Sequence, residues 1–346
     1  MRIAIVNDML MAREALRRVI AEVPDYSVAW TARDGAEAVK RCAADTPDLI
    51  LMDLIMPVMN GIETTRKIMA QTPCAILVVT ATVEGHTAMV FEALGAGALD
   101  AVQTPEIAAT GQLGGASALK LKIETIRQLV SRSDDRKTPR RLAGNLQSNS
   151  IPINPLVVIG ASAGGPAALA IILHALPGDF TAPVVIVQHI DAQFAPSMAM
   201  WLNEQSLLTV RVANEGDRPQ PATALIAASN DHLVFIGPQT LNYTPEPRAC
   251  HYRPSVDVFF ESVANHWKGD VVAVLLTGMG RDGARGMKAL RAAGALTIAQ
   301  DADSCVVYGM PKTAVELGAV VEVLPLNKIA SSLMNSVKSV NRGNLP

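Results

Sequence analysis

No two cysteines of this chain stand in a C-x-x-C spacing; the four present, Cys42, Cys74, Cys250 and Cys305, are scattered over 346 residues. That argues against a disulfide framework and a thiolate metal knuckle, and suits reduced, mostly buried thiols in a cytoplasmic protein. An excess of charge is missing too. The formal net charge is -2, so nothing global suggests a nucleic-acid partner. No apolar run reaches membrane-spanning length without polar interruption, so no direct membrane insertion is expected. The opening run Met1-Arg2-Ile3-Ala4-Ile5-Val6 is too short for a signal peptide and has no cleavage-like site. What is present is apolar bulk. Hydrophobic residues make up 49% and charged residues 18%, which fits folded domains with ample cores, and the length suits two of them.

The most informative stretch is Gly160-Ala161-Ser162-Ala163-Gly164-Gly165-Pro166. The run Leu156-Val157-Val158-Ile159 before it reads as a buried strand, and Leu169, Ile172, Leu173 and Leu176 after it have helical spacing. Pro166 suits a first helical turn. Ser162 therefore belongs to a turn between a strand and a helix N-terminus, where free N–H groups favour negative charge. The spacing matches neither G-x-G-x-x-G, nor G-x-x-x-x-G-K-[ST], nor G-x-S-x-G. Taken alone it leaves a structural turn, an anion site and a nucleophile equally open.

From residue 2 to 130, strand-like runs and helical patterns alternate strictly: Arg2 to Val6, Met11 to Val23, Val28 to Ala32, Gly35 to Ala44, Leu49 to Met52, Ile62 to Ala70, Ala75 to Val79, Thr87 to Leu94, Leu99 to Val102 and Ala118 to Val130. Such alternation implies a parallel sheet covered by helices on both faces. Chemistry in these sheets lies beyond the carboxyl ends of the strands. There stand Asn7 and Asp8, Asp53, and Thr80. Asp8 and Asp53 are expected to converge as oxygen donors for a hard cation, with Asp53 able to accept a phosphoryl group.

The stretch Leu51-Met52-Asp53-Leu54-Ile55-Met56-Pro57-Val58-Met59-Asn60-Gly61 closely resembles the receiver domain of bacterial response regulators. The resemblance implies Asp53 as phosphoacceptor, Thr80 as switch hydroxyl, and Mg²⁺ held by Asp8, Asp53 and the Ile55 carbonyl. It implies a CheA-type histidine kinase as phosphodonor. Two departures stand out. Asn7-Asp8 replaces the usual acidic pair, and in Ala101-Val102-Gln103-Thr104-Pro105 Gln103 stands where the family carries a lysine before the proline that follows the fifth strand. Altered phosphorylation or switching is the expectation, because a cation that would pair with the phosphoryl group is missing.

The second half repeats the same device. Pro183-Val184-Val185-Ile186-Val187 is a strand-like run ending in Gln188-His189. Asp270 to Leu276 is another, leading through Thr277-Gly278-Met279-Gly280-Arg281-Asp282-Gly283 into a helical pattern with Met287 and Leu290. Ser162, His189 and Asp282 thus all lie just past buried strands. Asp282 also suits a helix cap, and both roles can coexist. The other histidines, His86, His174, His232, His251 and His266, read as ordinary core or surface residues. A serine hydroxyl needs a base to take its proton, and the base needs a carboxylate to fix its tautomer. Backbone N–H groups around Ala163 and Gly164, with Met279 as a second source, are candidate oxyanion donors. The order Ser, His, Asp differs from that of α/β-hydrolases.

With Gln188-His189, Arg253-Pro254-Ser255-Val256-Asp257-Val258-Phe259, the Thr277 to Gly283 stretch and Asp301 to Pro311, the serine loop resembles the chemotaxis protein-glutamate methylesterase family. The resemblance implies Ser162 as nucleophile, His189 as base and Asp282 as orienter. It implies hydrolysis of glutamate methyl esters on the cytoplasmic helices of methyl-accepting chemoreceptors, with deamidation of receptor glutamines by the same logic, and no cofactor for the hydrolase. Ile190-Asp191 departs from the family's Met-Pro, and Ala163 from its threonine. The N-terminal sequence is similar to the Wsp-type branch of surface-sensing arrays.

The expected architecture is α/β, two doubly wound parallel-sheet domains: a flavodoxin-like receiver over residues 1–125, a helix end and linker over 126–152, and a Rossmann-like methylesterase domain over 153–346. The linker is polar and rich in charge, with Arg132, Arg136, Lys137, Arg140 and Arg141 read as solvated. Ser255 is expected to cap a helix, Asp303 to sit in a turn, and Gly309-Met310-Pro311 to form another turn. Two rival functions remain at this stage. One is a receiver-controlled binding module with an idle triad; the other is a nucleotide-binding output domain.

Overall fold

The computed structural model describes residues 1–80, 87–107, 113–130, 155–190, 192–250 and 252–343. The expected linker from 131 onward, His86, Asp191 and His251 lie outside them. The chain divides into two compact units, Met1–Lys137 and Thr138–Pro346.

The first unit runs β1 (Arg2–Val6), α1 (Leu10–Ala21), β2 (Ser27–Ala32), α2 (Gly35–Ala44), β3 (Leu49–Met52), α3 (Gly61–Gln71), β4 (Ala75–Thr80), α4 (Thr87–Gly95), β5 (Asp100–Gln103), β6 (Glu106–Ile107), β7 (Leu113–Gly114) and α5 (Ala116–Val130). Strands β1 to β5 form one parallel sheet of order β2-β1-β3-β4-β5. Helical spacing places Ala15, Leu16, Val19 and Ile20 of α1 against this sheet's core. Asp34 and Asn60 start α2 and α3, each side chain accepting the N–H three residues on, from Glu37 and Glu63. The strand order reverses between β1 and β3, so the residues following those two strands share one crevice.

The second unit runs β8 (Leu156–Ala161), α6 (Gly165–Ala175), β9 (Val184–Gln188), α7 (Ala195–Gln205), β10 (Thr209–Val212), β11 (Thr223–Ile226), β12 (His232–Phe235), β13 (Leu241–Thr244), α8 (Val256–His266), β14 (Val271–Leu275), α9 (Ala284–Ala292), β15 (Leu296–Gln300), α10 (Met310–Glu316), β16 (Glu322–Leu324) and α11 (Leu326–Gly343). Its parallel sheet has seven strands in the order β10-β11-β9-β8-β14-β15-β16. Strands β12 and β13 form a separate antiparallel hairpin. Every residue of β8 and β9 is buried, as a sheet covered on both faces requires. Fully burying each Val or Ile there contributes about 1.5–3 kcal/mol, so these strands hold their ends rigidly.

Helix α8 packs Val256, Phe259, Phe260 and Val263 into the core with Val158, Leu275 and Met287. Gly160 makes that approach possible, since a Cβ there would lie 2.3 Å from Cγ1 of Val256. The expected turn at Gly309-Met310-Pro311 is instead the start of α10, with the proline in its first turn. Strands β10, β13 and β16 carry only short, partly buried patterns, β11 and β12 are mostly buried but only four residues long, and the sequence reading did not find them.

Candidate active site

In the second unit the strand order turns at β8, with β9 on one side and β14 on the other. Ser162 follows β8, at that switch point. Its backbone N–H donates to Thr277 O at 3.0 Å, beyond β14, and its carbonyl accepts Gln188 Nε2 at 2.8 Å, from β9. Gly164 takes the left-handed conformation, φ 76°, which bends the chain from β8 into α6. The serine is thus pinned by hydrogen bonds from both neighbouring strands.

Adjacent register brings the next two residues together. Ala161 pairs with Gln188, and His189 N–H donates to Ala161 O at 3.0 Å, so Ser162 and His189 leave neighbouring strands side by side. The His189 ring is nearly buried, and its Nε2 lies 2.7 Å from Asp282 Oδ2. Its other nitrogen, Nδ1, is buried and has no hydrogen-bond partner among the described residues. Nε2 carries the proton towards the carboxylate in this arrangement, and Nδ1 presents a lone pair. The Ser162 hydroxyl and the imidazole are not hydrogen-bonded to each other. Such contacts are often loose before substrate binds and tighten in the complex.

Asp282 is held by more than the histidine. Its carboxylate accepts Ser255 Oγ at 2.8 Å, Val256 N–H at 2.7 Å and Asp257 N–H at 3.0 Å. These are the first donors of α8, so the carboxylate sits at a helix N-terminus, where a negative charge is favoured. Burial alone would raise the Asp282 pKa. The bond and charge of His189, the Asp257 N–H and the Ser255 hydroxyl outweigh it, and the net direction is down. The helix that follows Asp282 begins instead at Gly283, without a side-chain cap. Asp282 therefore serves the N-terminus of α8, not of α9 as its sequence position suggests.

Sequence reasoning anticipated Ser255 as a cap, and its Oγ does accept Val258 N–H at 3.3 Å. Its second bond, to Asp282, had no local signal. His232 was read as an ordinary core histidine. It is fully buried, but it takes Ser255 N–H on Nδ1 at 3.1 Å and faces Pro247 O from Nε2 at 3.3 Å. Burial, chiefly, holds its pKa below the histidine norm, so it stays the neutral ring that can accept this bond. Tyr252, stacked on His189, was missed altogether; nothing in the spacing of its neighbours points to it. His174 and His266 each set Nδ1 against a backbone carbonyl, of Gln205 at 3.1 Å and of Ser262 at 2.9 Å, and Asp303 is exposed in a turn.

Two backbone donors flank the serine. Among the described residues neither Ala163 N–H nor Met279 N–H carries a hydrogen bond. A Cβ on Gly278, the residue before Met279, would lie 2.7 Å from Cβ of Ser162. The Gly278 loop is fixed in turn by the segment before α10: Gly278 N–H donates to Val307 O at 3.0 Å, and Gly309 and Met310 N–H donate back to Gly278 O at 3.1 and 2.9 Å.

The first unit has its own crevice. Asp53 lies past β3, with Oδ1 accepting Leu54 N–H at 2.7 Å and Oδ2 accepting Asn7 Nδ2 at 2.8 Å. Burial pushes its pKa up to about 6, against the Leu54 and Ile55 N–H groups, and the nearby Asp8 charge adds to the rise. Arg13 donates to the carbonyls of Asn7 and Asp8 at 2.6 and 2.9 Å. Thr80 ends β4 and is buried. Gln103, which ends β5, is exposed, and Thr104, next to Pro105, is buried with a hydroxyl that has no partner among the described residues. Two carboxylates and a raised pKa are what a divalent cation would relieve, so these residues fit one.

Residues 157–333 match the family CheB methylesterase, and residues 3–109 match the response regulator receiver domain. The chain is 53% identical over 337 residues to protein-glutamate methylesterase/protein-glutamine glutaminase 3 of Pseudomonas aeruginosa, spanning 96% of this chain and 98% of that one. It is 56% identical over 335 residues to protein-glutamate methylesterase/protein-glutamine glutaminase 1 of Burkholderia lata, again 96% and 98%. In three dimensions it is similar to the crystal structure of the Thermotoga maritima CheB methylesterase catalytic domain, with TM-score 0.50 and 38% identity over 52% of this chain and 97% of that one. With identity above half over almost the whole length of these relatives, this chain belongs to the CheB methylesterase family, in the form that carries a response-regulator receiver at its N-terminus.

Proposed function

We propose that the second unit hydrolyses glutamate γ-methyl esters on chemoreceptors, with Ser162 as nucleophile, His189 as base and Asp282 as orienter. The observation that carries this is the His189 ring itself. One nitrogen is bound to a carboxylate and the other is buried without a partner among the described residues, just past the strand that pairs with the one before the serine loop.

In the first step Nδ1 of His189 takes the Ser162 hydroxyl proton while Oγ bonds to the ester carbonyl carbon. The carbonyl electron pair moves onto oxygen, and the free N–H groups of Ala163 and Met279 receive the resulting anion. His189 then returns the proton to the departing methoxide, releasing methanol and leaving an acyl-serine. Water repeats the sequence with the same base and frees the glutamate. Asp282 remains ionised throughout and steadies the imidazolium. A glutamine side chain would follow the same path with ammonia leaving, which matches the glutaminase activity in the relatives' names.

Control is assigned to the first unit. Asp53 accepts a phosphoryl group from a CheA-type histidine kinase and Thr80 reads the change. Mg²⁺ would be held by Asp8, Asp53 and the carbonyl of Ile55, where it neutralises charge on the phosphoryl group. The unphosphorylated receiver restrains the esterase, and the partner is a receptor of the surface-sensing type. The substrate is placed on the receptor's cytoplasmic helices. No helix among the described residues is long and apolar enough to cross a membrane.

The deciding experiment incubates native protein and Ser162→Ala with methyl-labelled receptor and measures methanol. Native protein should release the label and Ser162→Ala should not. Equal release by both removes the mechanism. Deleting residues 1–150 should raise the rate, and an unchanged rate would remove the restraint by the receiver.

A further inference from the structure

Asp282 is not the only group that fixes the His189 imidazole. The phenol ring of Tyr252 lies flat against it, with ring centroids 4.2 Å apart and planes inclined by 3°. Tyr252 is partly buried and belongs to the segment that runs through Arg253-Pro254 into the Ser255 cap of α8. Its hydroxyl reaches the Gly280 loop, where a Cβ on Gly280 would lie 3.0 Å from it. One face of the imidazole is therefore covered by an aromatic ring and one edge by a carboxylate. The Nδ1 edge is left without a partner among the described residues.

The chemistry of that stack depends on charge. A neutral imidazole gains mainly packing from a phenol face. An imidazolium is attracted by the ring's negative face as well, and at this separation a cation gains a preference worth roughly 3- to 30-fold in the protonation equilibrium. Imidazolium is the form created each time the serine or water proton is taken.

We propose that Tyr252 is a positioning residue of the esterase: its ring fixes the plane of His189 and favours the imidazolium formed during acylation and deacylation. This rests on the reading of His189 as the base. In the step concerned the Ser162 O–H bond breaks, the proton goes to Nδ1, the Oγ–C bond forms, and the carbonyl pair becomes the oxyanion. Tyr252 exchanges no proton in it. Among the described residues, the charged and titratable groups around the stack are Asp282 on Nε2, Asp257 in the first turn of α8, Arg253 beside Tyr252, and the neutral His232 behind Ser255. Of these, Asp282 acts on Tyr252 directly, and its charge adds to burial in raising the phenol pKa.

The test is receptor demethylation across pH by native protein, Tyr252→Phe, Tyr252→Leu and Ser162→Ala, with thermal melts of each. Tyr252→Phe keeps the aromatic face and should keep native kcat and pH profile. Tyr252→Leu keeps bulk and loses the face. Its kcat should fall about 3- to 30-fold with KM nearly unchanged, and the acid limb of its kcat/KM profile should move to lower pH. Native kcat and pH profile in Tyr252→Leu would overturn the proposal. So would equal damage in the Phe and Leu variants, or a loss that tracks unfolded protein in the melts. If Ser162→Ala is as active as native protein, the reading of His189 as base fails, whatever the Tyr252 variants do.

Discussion

The two units place an aspartate in the same topological position and treat it in opposite ways. Asp53 and Asp282 each follow a buried strand beside the switch point of a parallel sheet. Asp53 meets burial and a neighbouring carboxylate, Asp8, and although the N–H groups of Leu54 and Ile55 and the Asn7 amide donate to it, its pKa rises to about 6. Asp282 is at least as buried, but the first N–H groups of α8, a serine hydroxyl and a histidine turn on it, and its pKa falls. Burial has the same sign at both sites. What differs is the charge beside it: another carboxylate, Asp8, at Asp53, and the His189 ring with the N-terminus of α8 at Asp282. The first carboxylate lacks a cationic partner, as a group awaiting a cation would. The second is complete, and suits a permanent anion behind a base.

Removing the charge from the satisfied site should do the most damage. Asp282→Asn should lower kcat about 10⁴-fold, measured by methanol release, because the amide cannot hold His189 in the same tautomer. Retention of activity within tenfold would break the contrast at its stronger end. Stripping one donor is milder. Ser255→Ala loses both the bond to Asp282 and the α8 cap, and should cost the second unit about 2 kcal/mol or more in urea unfolding. At Asp53 the sign reverses. A raised carboxyl pKa means the folded state keeps a proton that the unfolded chain has lost. Stability is therefore given up as pH rises from about 4 through 6, and the penalty persists at neutrality. Asp53→Asn should raise the first transition by a few degrees at pH 7 without Mg²⁺, and by less as pH falls towards 4. Mg²⁺ should stabilise native protein but not that variant. For Asp282, whose pKa is lowered, the stabilising contribution is present above the ordinary carboxylate range and is lost as pH falls through the lower folded value. Opposite slopes in the two calorimetric transitions would sharpen the comparison; parallel slopes would break it.

Much of this was legible in the sequence because the informative residues sit at strand ends. Continuous buried runs such as Leu49–Met52 and Val184–Gln188 announce parallel strands, and chemistry in such sheets lies just beyond them. Asp53, Ser162, His189 and Asp282 could all be placed that way. The strands β10 to β13 could not, because runs of four residues are too short to show a period, whether partly buried as in β10 and β13 or mostly buried as in β11 and β12. Nor could the support around Asp282. Ser255 and Asp282 are 27 positions apart and meet only because Gly160 lets α8 close on β8. His232 lies on a hairpin outside the main sheet, and the Tyr252 stack depends on a loop with no period at all. The end of β5 shows another limit: nothing in the pattern tells that Gln103 is exposed while Thr104, just past the strand beside Pro105, is buried.

The central claim is that His189 makes the Ser162 hydroxyl a nucleophile. Treating the full chain with a fluorophosphonate and locating the adduct by peptide mass spectrometry tests it most directly. The account predicts a single adduct on Ser162, formed at least about 10³-fold more slowly in His189→Ala. Labelling at another residue, or at the same rate in both proteins, would contradict it.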